Sequence, residues 1–406
     1  MASTKYDVTV FGATSFVGKI LCRYLIETFG QELNWVAAAR SRDKLDALKV
    51  ELGTAGKNLH AVQADVTDEA SLRALCEHTR VVISTVGPYA LYGEPLVKIC
   101  AETGTDYCDL TGEIQWVHKM LQRYEKAAKA SGARIVHCCG FDSISSDMGV
   151  YHLQQQARER FGQPCNKVKM RLWDVKSGFG GSSAVSLLNV IKEAVSDPNV
   201  RKVMRNPYAI CPPDYQPKLR QPDVKTAQRD PDFDVWVAPF IMAPVNTRVV
   251  QRSHALLGQA YGNDFTYEEA MVTGSGARGA FKASMLTAAL GALVSGAAFG
   301  PTRKLMARLY LAPGAGPSPQ AQEAGFYDLR FLGTTTDGRS LRTQVYDNRD
   351  PGYGSTVEML GQAGACLAFD TPKDSYAGGF WTPASLFGDR LIPRLSKGIR
   401  FTVLDE

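Results

Sequence analysis

The stretch Tyr6–Gly18, YDVTVFGATSFVG, joins a β-rich run to a segment in which apolar residues recur at helical spacing. This order predicts a strand, a tight turn and a helix. Glycine at the first turn position permits the turn, and glycine at position 18 lets the helix pack close to the sheet. Backbone amides at such a helix start favour an anion, so we predict that a diphosphate binds along Gly12, Ala13, Thr14, Ser15, Phe16, Val17 and Gly18. The alternative is an ordinary turn between a strand and a helix.

Short apolar runs alternate with helical segments as far as residue 138. The runs cover residues 34–39, 60–64, 80–85, 106–110 and 134–138. Such alternation is typical of βαβ units with right-handed crossovers. It predicts an α/β fold with a Rossmann doubly wound parallel sheet.

The pattern changes after about residue 150. Residues 326–336 and 339–347 alternate apolar and polar side chains around Asp337-Gly338, which indicates an antiparallel hairpin. We therefore predict a nucleotide-binding Rossmann domain over 1–150 and a second α+β domain with antiparallel strands over 151–350. A helical segment over 351–406 is expected to pack back on the first domain.

Directly after the second apolar run, which covers residues 34–39, come Arg40 and Ser41. A site for NAD usually carries Asp or Glu at this point to bind the ribose 2′-hydroxyl, whereas a guanidinium can pair with a 2′-phosphate. The sequence therefore predicts NADP(H) as the cofactor, with Arg40 and Ser41 among its ligands. The alternative is that Arg40 is a solvated surface residue.

The carboxyl ends of parallel strands meet at one edge of a sheet, where ligands bind. The third and fourth strands therefore add to the predicted cofactor site Asp65, Val66, Thr85, Val86, Gly87, Pro88 and Tyr89. Asp65 can accept a hydrogen bond from adenine or cap the next helix. Tyr89 is a candidate catalytic phenol beside the nicotinamide, or an aromatic ring that packs on the sheet.

Carboxylates follow the fifth and sixth strands at this edge: Asp109, Glu113, Asp142 and Asp147. A partly buried carboxyl with a raised pKa can act as a general acid, and Asp142 is our candidate catalytic acid. The alternative role is capping of a helix predicted over 147–160. His137 and Cys139 are expected to pack in the core.

Composition excludes several classes of site. The 406 residues carry a net charge of +5 with cations spread along the chain, which does not indicate nucleic-acid binding. The nine Cys and six His lack ligand spacing, so we predict free thiols and no metal site. The N-terminus has no apolar signal segment, which favours a cytoplasmic location.

Two segments allow more than one interpretation. Residues 283–302 carry no charged side chain. They form a core helix, an interfacial helix with peripheral membrane contact or a tunnel for an acyl chain, or a helix that spans a membrane. The Gly/Ser-rich stretch 177–183 either admits a long substrate or forms a plain turn. A homodimer is kept among the expected assemblies.

The chain resembles the saccharopine dehydrogenase-like oxidoreductases, and among them the trans-acting enoyl reductase group. The matching stretches are GATSFVG (12–18), STVGPYALYGEPLV (84–97), YCDLTGE (107–113), GFDSISSDMG (140–149), VWVAPFIMAPVNTRVV (235–250), PGAGPSPQAQEAGF (313–326), GYGSTVEML (352–360) and GGFWTPASLFGDRLIPRL (378–395). They span nearly the whole chain. Ser15 departs from a usual Gly, which would weaken phosphate contact slightly, and Ser145 departs from a usual Pro in an expected turn.

The resemblance implies a Rossmann domain joined to an α/β domain, with NADP(H) bound and an acyl or lipid-like substrate reduced at a C=C bond. Two alternatives stay open. One is an NADP-binding lipid-surface or scaffold protein with little catalysis. The other is a saccharopine-type imine reductase, which would need a cluster of cations for a polyanionic substrate.

Overall fold

The computed structural model describes residues 6–177, 181–215, 217, 219–310, 320 and 323–404. The chain divides into two compact units. Among the described residues, the first unit comprises those up to Phe141 together with Tyr353–Leu395, and the second comprises those from Asp142 to Gly352 and from Ser396 onwards. Residues from Ser396 onwards therefore group with the second unit, whereas the sequence analysis expected a separate segment over 351–406 to pack back on the first domain.

Within the described part of the chain, the first unit is built on a seven-stranded parallel sheet. Its strands are β1 (Tyr6–Phe11), β2 (Trp35–Ala39), β3 (His60–Gln63), β4 (Thr79–Ser84), β5 (Asp106–Asp109), β6 (Arg134–Val136) and β13 (Gly379–Trp381). The order across the sheet is β13-β6-β5-β4-β1-β2-β3, and neighbouring strands run parallel. The predicted Rossmann fold class is confirmed, and β13 is a strand that the sequence analysis missed.

The longer helices of this unit alternate with its strands as predicted, and several short helices are added to them. They are α1 (Phe16–Phe29), α2 (Arg42–Glu51), α3 (Gly53–Gly56), α4 (Glu69–Glu77), α5 (Tyr89–Tyr92), α6 (Glu94–Thr103), α7 (Ile114–Ser131), α14 (Thr356–Phe369), α15 (Pro383–Phe387) and α16 (Leu391–Leu395). A π-helical turn, Pro351–Ser355, precedes α14, and a 3-10 turn, Gly388–Arg390, precedes α16. Val36, Val81 and Val82 are fully or almost fully buried, as expected of a sheet covered on both faces.

A buried ion pair ties the returning segment to the sheet. The Nη2 atom of Arg134 on β6 lies 2.5 Å from the carboxylate of Asp106 on β5, and both side chains are 2% exposed. The same guanidinium donates to the carbonyls of Leu367 and Thr371 at the end of α14. Removing either partner of such a pair leaves a buried charge, so the pair fixes where α14 ends.

The second unit is built on a mixed sheet. Its strands are β7 (Cys165–Lys176), β8 (Gln228–Asp230), β9 (Val235–Pro239), β10 (Thr266–Gly274), β11 (Phe326–Thr335), β12 (Ser340–Asp347) and β14 (Arg400–Leu404), in the order β14-β12-β11-β7-β10-β9-β8. Only the β7–β10 pair of this sheet is parallel among the described strands. The predicted hairpin is confirmed, because β11 and β12 pair in antiparallel register.

The helices of the second unit are α8 (Phe141–Phe161), which begins at the boundary between the units, α9 (Gly181–Ser196), α10 (Pro198–Arg205), α11 (Ala243–Leu256), α12 (Gly276–Ala298) and α13 (Gly300–Tyr310). The prediction that α8 begins at residue 147 is wrong, because it begins at Phe141. Asp142 and Ser145 therefore lie inside the helix, and Ser145 does not occupy a turn.

The uncharged stretch lies mostly in α12. By length and composition, this is the one helix of the described chain that could cross a membrane, yet only 11% of its apolar window is buried in the structure. Phe281 and Met285 on α12 are 66% and 57% exposed, and Phe299 just beyond it is 63% exposed. The core-helix interpretation of 283–302 is therefore wrong for this chain taken alone.

Candidate functional site

The turn after β1 leaves part of its backbone free to bind a ligand. The amides of Gly12 and Ala13 donate to the carbonyl of Ala38, at 2.8 and 3.1 Å, and the amide of Ser15 donates to the carbonyl of Gly12. No protein acceptor is found among the described residues for the amides of Thr14, Phe16 and Val17. These three amides, rather than the whole predicted set, are available to an anion at the start of α1.

Ser15 has a definite role at this helix start. It is the N-cap residue of α1, and its hydroxyl accepts a hydrogen bond of 2.9 Å from the amide of Gly18. A serine cap of this kind stabilises a helix by about 1 kcal/mol. Ser15, which stands where the family usually has glycine, thus caps α1. Its hydroxyl occupies the amide of Gly18, so that amide is not available to an anion.

The two glycines of the turn are required by close packing. Gly12 has a φ of +86°, and a Cβ atom there would lie 2.6 Å from Cγ2 of Val86 and 2.8 Å from Oγ1 of Thr85. A Cβ atom at Gly18 would lie 2.2 Å from the carbonyl oxygen of Gly12. The turn is a backbone cradle that a side chain would fill, and its shape therefore fits a dinucleotide diphosphate.

Thr85, at the end of β4, braces the same turn from the neighbouring strand. Its hydroxyl oxygen lies 3.0 Å from the carbonyl oxygen of Gly12 and 3.0 Å from Oγ of Ser15. Its amide donates to the carbonyl of Phe11 at 2.9 Å. Thr85 therefore holds the shape of the cradle and is itself 8% exposed.

Arg40 is exposed at the end of β2. Its guanidinium makes no hydrogen bond or ion pair with any residue that the structure describes, whereas the neighbouring Arg42 pairs with Asp46 at 3.3 Å. The hydroxyl of Ser41 accepts from the amide of Lys44 and caps α2. Arg40 is thus an uncommitted cation of the kind that a 2′-phosphate requires.

Asp65 follows β3, with the half-buried Val66 after it. One carboxylate oxygen of Asp65 accepts from both the amide and the hydroxyl of Thr67, at 2.9 Å each. These two bonds, with a smaller contribution from Arg40, hold the pKa of Asp65 below its usual value. Capping of α4 falls to Asp68 instead, so the predicted capping role of Asp65 is wrong.

Tyr89 does not occupy a position from which it could donate a proton to a ligand. Its phenol is buried and donates to the carbonyl of Ser84 at 2.9 Å, and burial holds its pKa well above the usual value. Its amide donates to the carboxylate of Glu113 at 2.9 Å, which anchors the loop containing the cis peptide Gly87–Pro88. The predicted catalytic role of Tyr89 is therefore wrong. The residue instead packs on the sheet as an aromatic ring, which was the alternative prediction.

Asp109 also has a structural role, because its carboxylate is fully used in hydrogen bonds within the protein. Its buried carboxylate lies 2.7 Å from Nδ1 of His137 and accepts from the hydroxyl of Tyr107 and the amides of Thr111 and Cys138. The hydrogen bond to Cys138 supports a residue whose φ is +64°. His137 and Cys139 are buried, as predicted for core residues.

Asp142 differs from the other three candidate carboxylates. It is exposed in the first turn of α8, and no hydrogen-bond partner for its carboxyl is found among the described residues. Desolvation by the surrounding protein nevertheless raises its pKa to about 6. Asp147 is fully buried and accepts from the hydroxyl of Ser253 at 2.6 Å. Asp142 is thus the one of the four that is open to a ligand and close to neutral pH in its titration.

The sequence analysis missed a buried polar cluster in the second unit, centred on Asn246 and Glu269. The sequence does carry a signal for this cluster, in two adjacent glutamates. Adjacent residues of a strand point to opposite faces, so Glu268 and Glu269 on β10 cannot both face solvent on the same side. Both are buried, Glu268 against Arg171 and Glu269 against Asn246.

Two further predictions concern the Gly/Ser-rich stretch and the metal site. The Gly/Ser-rich stretch 177–183 lies largely outside the described residues, since only Ser177 and the backbone of 181–183 are described. Within the described part of the chain, no group of three or more His, Cys, Asp or Glu side chains is arranged to hold a metal ion.

Comparison with known proteins identifies the family. Residues 8–136 match the model of the saccharopine dehydrogenase NADP binding domain. A protein of Mycobacterium tuberculosis is 38% identical over 96% of this chain and 95% of its own length. A Mycobacterium bovis protein named trans-acting enoyl reductase is 36% identical over 97% of this chain and 96% of its own.

The solved structure of saccharopine dehydrogenase (L-Glu forming) from Saccharomyces cerevisiae is similar in fold. It aligns with a TM-score of 0.55 over 98% of this chain and 100% of its own, at 16% sequence identity. The chain therefore belongs to the trans-acting enoyl reductase family, and it is an NADP(H)-dependent oxidoreductase built on a saccharopine dehydrogenase NADP-binding domain.

Proposed function

We propose that this chain reduces the C=C bond of an enoyl acyl substrate, with NADPH as the reductant and Asp142 as the proton donor. The reaction class is supported by relatives named trans-acting enoyl reductase that match nearly the full chain. Two observations support the role of Asp142: no described residue bonds to the carboxyl of this exposed residue, and the dense protein around that carboxyl raises its pKa to about 6.

Three features of the first unit would hold the cofactor. The amides of Thr14, Phe16 and Val17 suit its diphosphate, and the guanidinium of Arg40 suits its 2′-phosphate. The loop after β4 suits the nicotinamide end, because strand ends at this edge bind ligands. When bound, NADPH supplies the hydride for reduction.

Reduction of a conjugated C=C bond also consumes a proton at the α-carbon of the acyl chain. A carboxyl with a pKa near 6 is partly protonated near neutral pH, so the Asp142 carboxyl oxygen can hold that proton and release it to carbon. An ordinary exposed aspartate, with a pKa near 3.8, would be almost fully ionised there.

The test is NADPH oxidation by the purified chain with a panel of enoyl, β-keto and saturated acyl thioesters. We expect turnover with the enoyl thioesters, and a loss of about 100-fold or more in kcat for Asp142→Asn. Asp197→Asn is the matched control, because Asp197 is a half-buried N-cap of α10 in the same unit and asparagine caps equally well.

Tight NADPH binding without turnover on any thioester would contradict this function and favour the non-catalytic alternative. Oxidation of saccharopine with NADP⁺, without reduction of enoyl thioesters, would favour the imine alternative. Wild-type kcat in Asp142→Asn would remove Asp142 from the mechanism while leaving the enoyl reaction in place.

We also propose that α12 and α13 contact a lipid surface of negative charge. Large apolar side chains stand exposed on this segment, Phe281 and Met285 among them. Residues 276–310 contain five cations, of which Arg278, Lys282 and Lys304 are exposed, and no acidic residue. An exposed apolar face flanked by cations is typical of helices that lie in a membrane interface.

Sedimentation with vesicles tests this second proposal. We expect the chain to pellet with phosphatidylglycerol vesicles more than with phosphatidylcholine vesicles, and Phe281→Glu to abolish pelleting. Val50→Glu is the control, since Val50 is an 81% exposed apolar residue of the first unit. No pelleting with either vesicle would contradict the proposal, and a dimer that dissociates in Phe281→Glu would assign the face to a second copy of the chain.

A further inference from the structure

Polar side chains, rather than an apolar stripe, form much of the contact between α8 and α11. The hydroxyl of Ser143 donates to Oδ1 of Asn246 at 3.0 Å, and the hydroxyl of Ser253 donates to the carboxylate of Asp147 at 2.6 Å. All four side chains are buried, with exposures of 2% or less. Buried polar groups must find partners, so these pairs restrict how the two helices can fit together.

Asn246 connects this contact to β10. Its Nδ2 atom donates to Oε2 of Glu269 at 2.9 Å and lies 3.2 Å from the hydroxyl of Ser146. The other carboxylate oxygen of Glu269 accepts from the hydroxyl of Tyr267 at 2.7 Å. In the described contacts of the Asn246 amide, the oxygen accepts and the nitrogen donates, as the chemistry of an amide requires.

The three α8 residues of this polar cluster lie on one face of the helix. Ser143, Ser146 and Asp147 are spaced three and four residues apart, and Asp142 precedes the first of them. Successive residues of an α-helix are separated by about 100° around its axis. A rotation of α8 that brought Asp142 to the direction of Ser143 would therefore bury its carboxyl and turn Ser143 away from Asn246.

We infer that Asn246 and Glu269 are positioning residues that fix the rotation of the first turn of α8 and thereby hold the Asp142 carboxyl on its exposed side. This inference rests on the proposed role of Asp142 as proton donor. Asn246 acts directly through Ser143 and Ser146. Glu269 acts through Asn246, because its carboxylate sets which way the Asn246 amide points, and also directly through its hydrogen bond with the Ser146 side chain.

The inference can be tested by disrupting the hydrogen bond between Asn246 and Glu269 and then restoring it with a second substitution. Above about pH 7, where Glu269 is ionised, Glu269→Gln turns one oxygen acceptor into a donor, so the side chain can no longer accept from both Tyr267 and Asn246. In the double variant Asn246→Asp/Glu269→Gln, the donor and acceptor exchange places. A carboxylate at position 246 accepts from Ser143 on one oxygen and from the glutamine amide on the other.

The readouts are kcat for an enoyl thioester, its pH profile and the Kd for NADPH. We expect Glu269→Gln to lower kcat about tenfold and to shift the limb of the pH profile that Asp142→Asn removes. The Kd for NADPH should stay unchanged, since the cofactor residues lie in the first unit. The double variant should regain most of kcat and the original pH profile.

Gln154→Met is the matched control on the same helix. The Gln154 side chain is fully buried and makes two hydrogen bonds to the backbone of Cys165, at 2.7 and 2.8 Å, three turns from Asp142. A loss of stability without change in kcat or pH profile is expected there. If Glu269→Gln does not accumulate as folded protein, Ser143→Ala carries the same test by deleting one hydrogen bond.

Different results would overturn the proton-donor role of Asp142 and the positioning role of Asn246 and Glu269. Wild-type kcat and pH profile in Asp142→Asn would overturn the proton-donor role, and the inference with it. A large effect of Asp142→Asn together with wild-type kcat and pH profile in Glu269→Gln and Ser143→Ala would overturn the positioning role alone. An effect of Gln154→Met as large as that of Glu269→Gln would also overturn it, because general destabilisation would then suffice.

Discussion

The hydroxyl of Thr85 lies 3.0 Å from the hydroxyl of Ser15, although the two residues belong to different strand–helix units of the first sheet. Thr85 also lies 3.0 Å from the carbonyl oxygen of Gly12. The cradle for the diphosphate is therefore shaped by the end of β4 as well as by its own short sequence.

This relationship predicts the effect of Thr85→Val. The variant keeps the shape of the side chain but removes the contacts of the Thr85 hydroxyl with the Gly12 carbonyl and the Ser15 hydroxyl, at a cost of about 1–3 kcal/mol for the two together. We expect NADPH to bind about tenfold more weakly, as measured by titration of protein fluorescence.

Thr79→Val is the control for that experiment. Thr79 lies at the other end of β4 and is likewise buried, with hydrogen bonds to Thr9 and to the carbonyl of Leu75. It should lose a similar amount of stability and keep its affinity for NADPH. Equal weakening in both variants would mean that Thr85 has no special part in the cradle.

The pKa of Asp142 predicts a pH dependence of catalysis. A general acid must be protonated, so kcat should be level below about pH 6 and fall about tenfold per pH unit above it. Measurement of kcat for an enoyl thioester at saturating NADPH checks this. The falling limb should vanish in Asp142→Asn, and its persistence there would assign the limb to another group.

Glu269 predicts a pH dependence of stability. Burial raises its pKa from 4.5 to about 7, so the folded protein binds this proton more tightly than the unfolded chain. Its contribution to stability is therefore greatest below pH 4.5 and is lost as pH rises towards 7, by an amount on the order of 3 kcal/mol. Melting temperatures of the wild type should fall across this window relative to those of Glu269→Gln. Parallel melting curves across the window would show that Glu269 titrates normally.

Arg134 predicts the strength of the link between the sheet and the end of α14. Arg134→Met removes the guanidinium that neutralises Asp106 and leaves its buried carboxylate, among the described contacts, with the backbone amide of residue 134 at 2.9 Å and the longer contact to Lys373 at 3.5 Å. We expect a loss of about 3 kcal/mol in the free energy of unfolding, measured in urea. A change no larger than that of the exposed control Arg80→Met, whose contact to Asp7 is 3.4 Å, would contradict this.

The parts that sequence could predict are those with local causes. The strand, turn and helix around Gly12 follow from a glycine turn between two periodic segments. Position alone marked Arg40, because it ends the second strand of a βα series. The hairpin at Asp337-Gly338 carries its own turn signal.

The parts that sequence could not predict depend on distant partners. Ser143 and Asp147 resemble cap residues before a helix, yet their partners Asn246 and Ser253 lie about a hundred residues away and draw them into α8. The direction of the Tyr89 phenol is likewise set by tertiary contacts. β13 has three residues and pairs only with β6, so no local pattern indicates it.

The most direct test of the account is the affinity of the chain for the two dinucleotides. We expect the wild type to bind NADPH more tightly than NADH, and Arg40→Asp to weaken NADPH binding about 10- to 100-fold without weakening NADH binding. Arg42→Asp, at a neighbouring arginine already paired with Asp46, should leave the preference intact. Equal affinities of the wild type for NADPH and NADH, unchanged in Arg40→Asp, would contradict the assignment of this site to NADP(H).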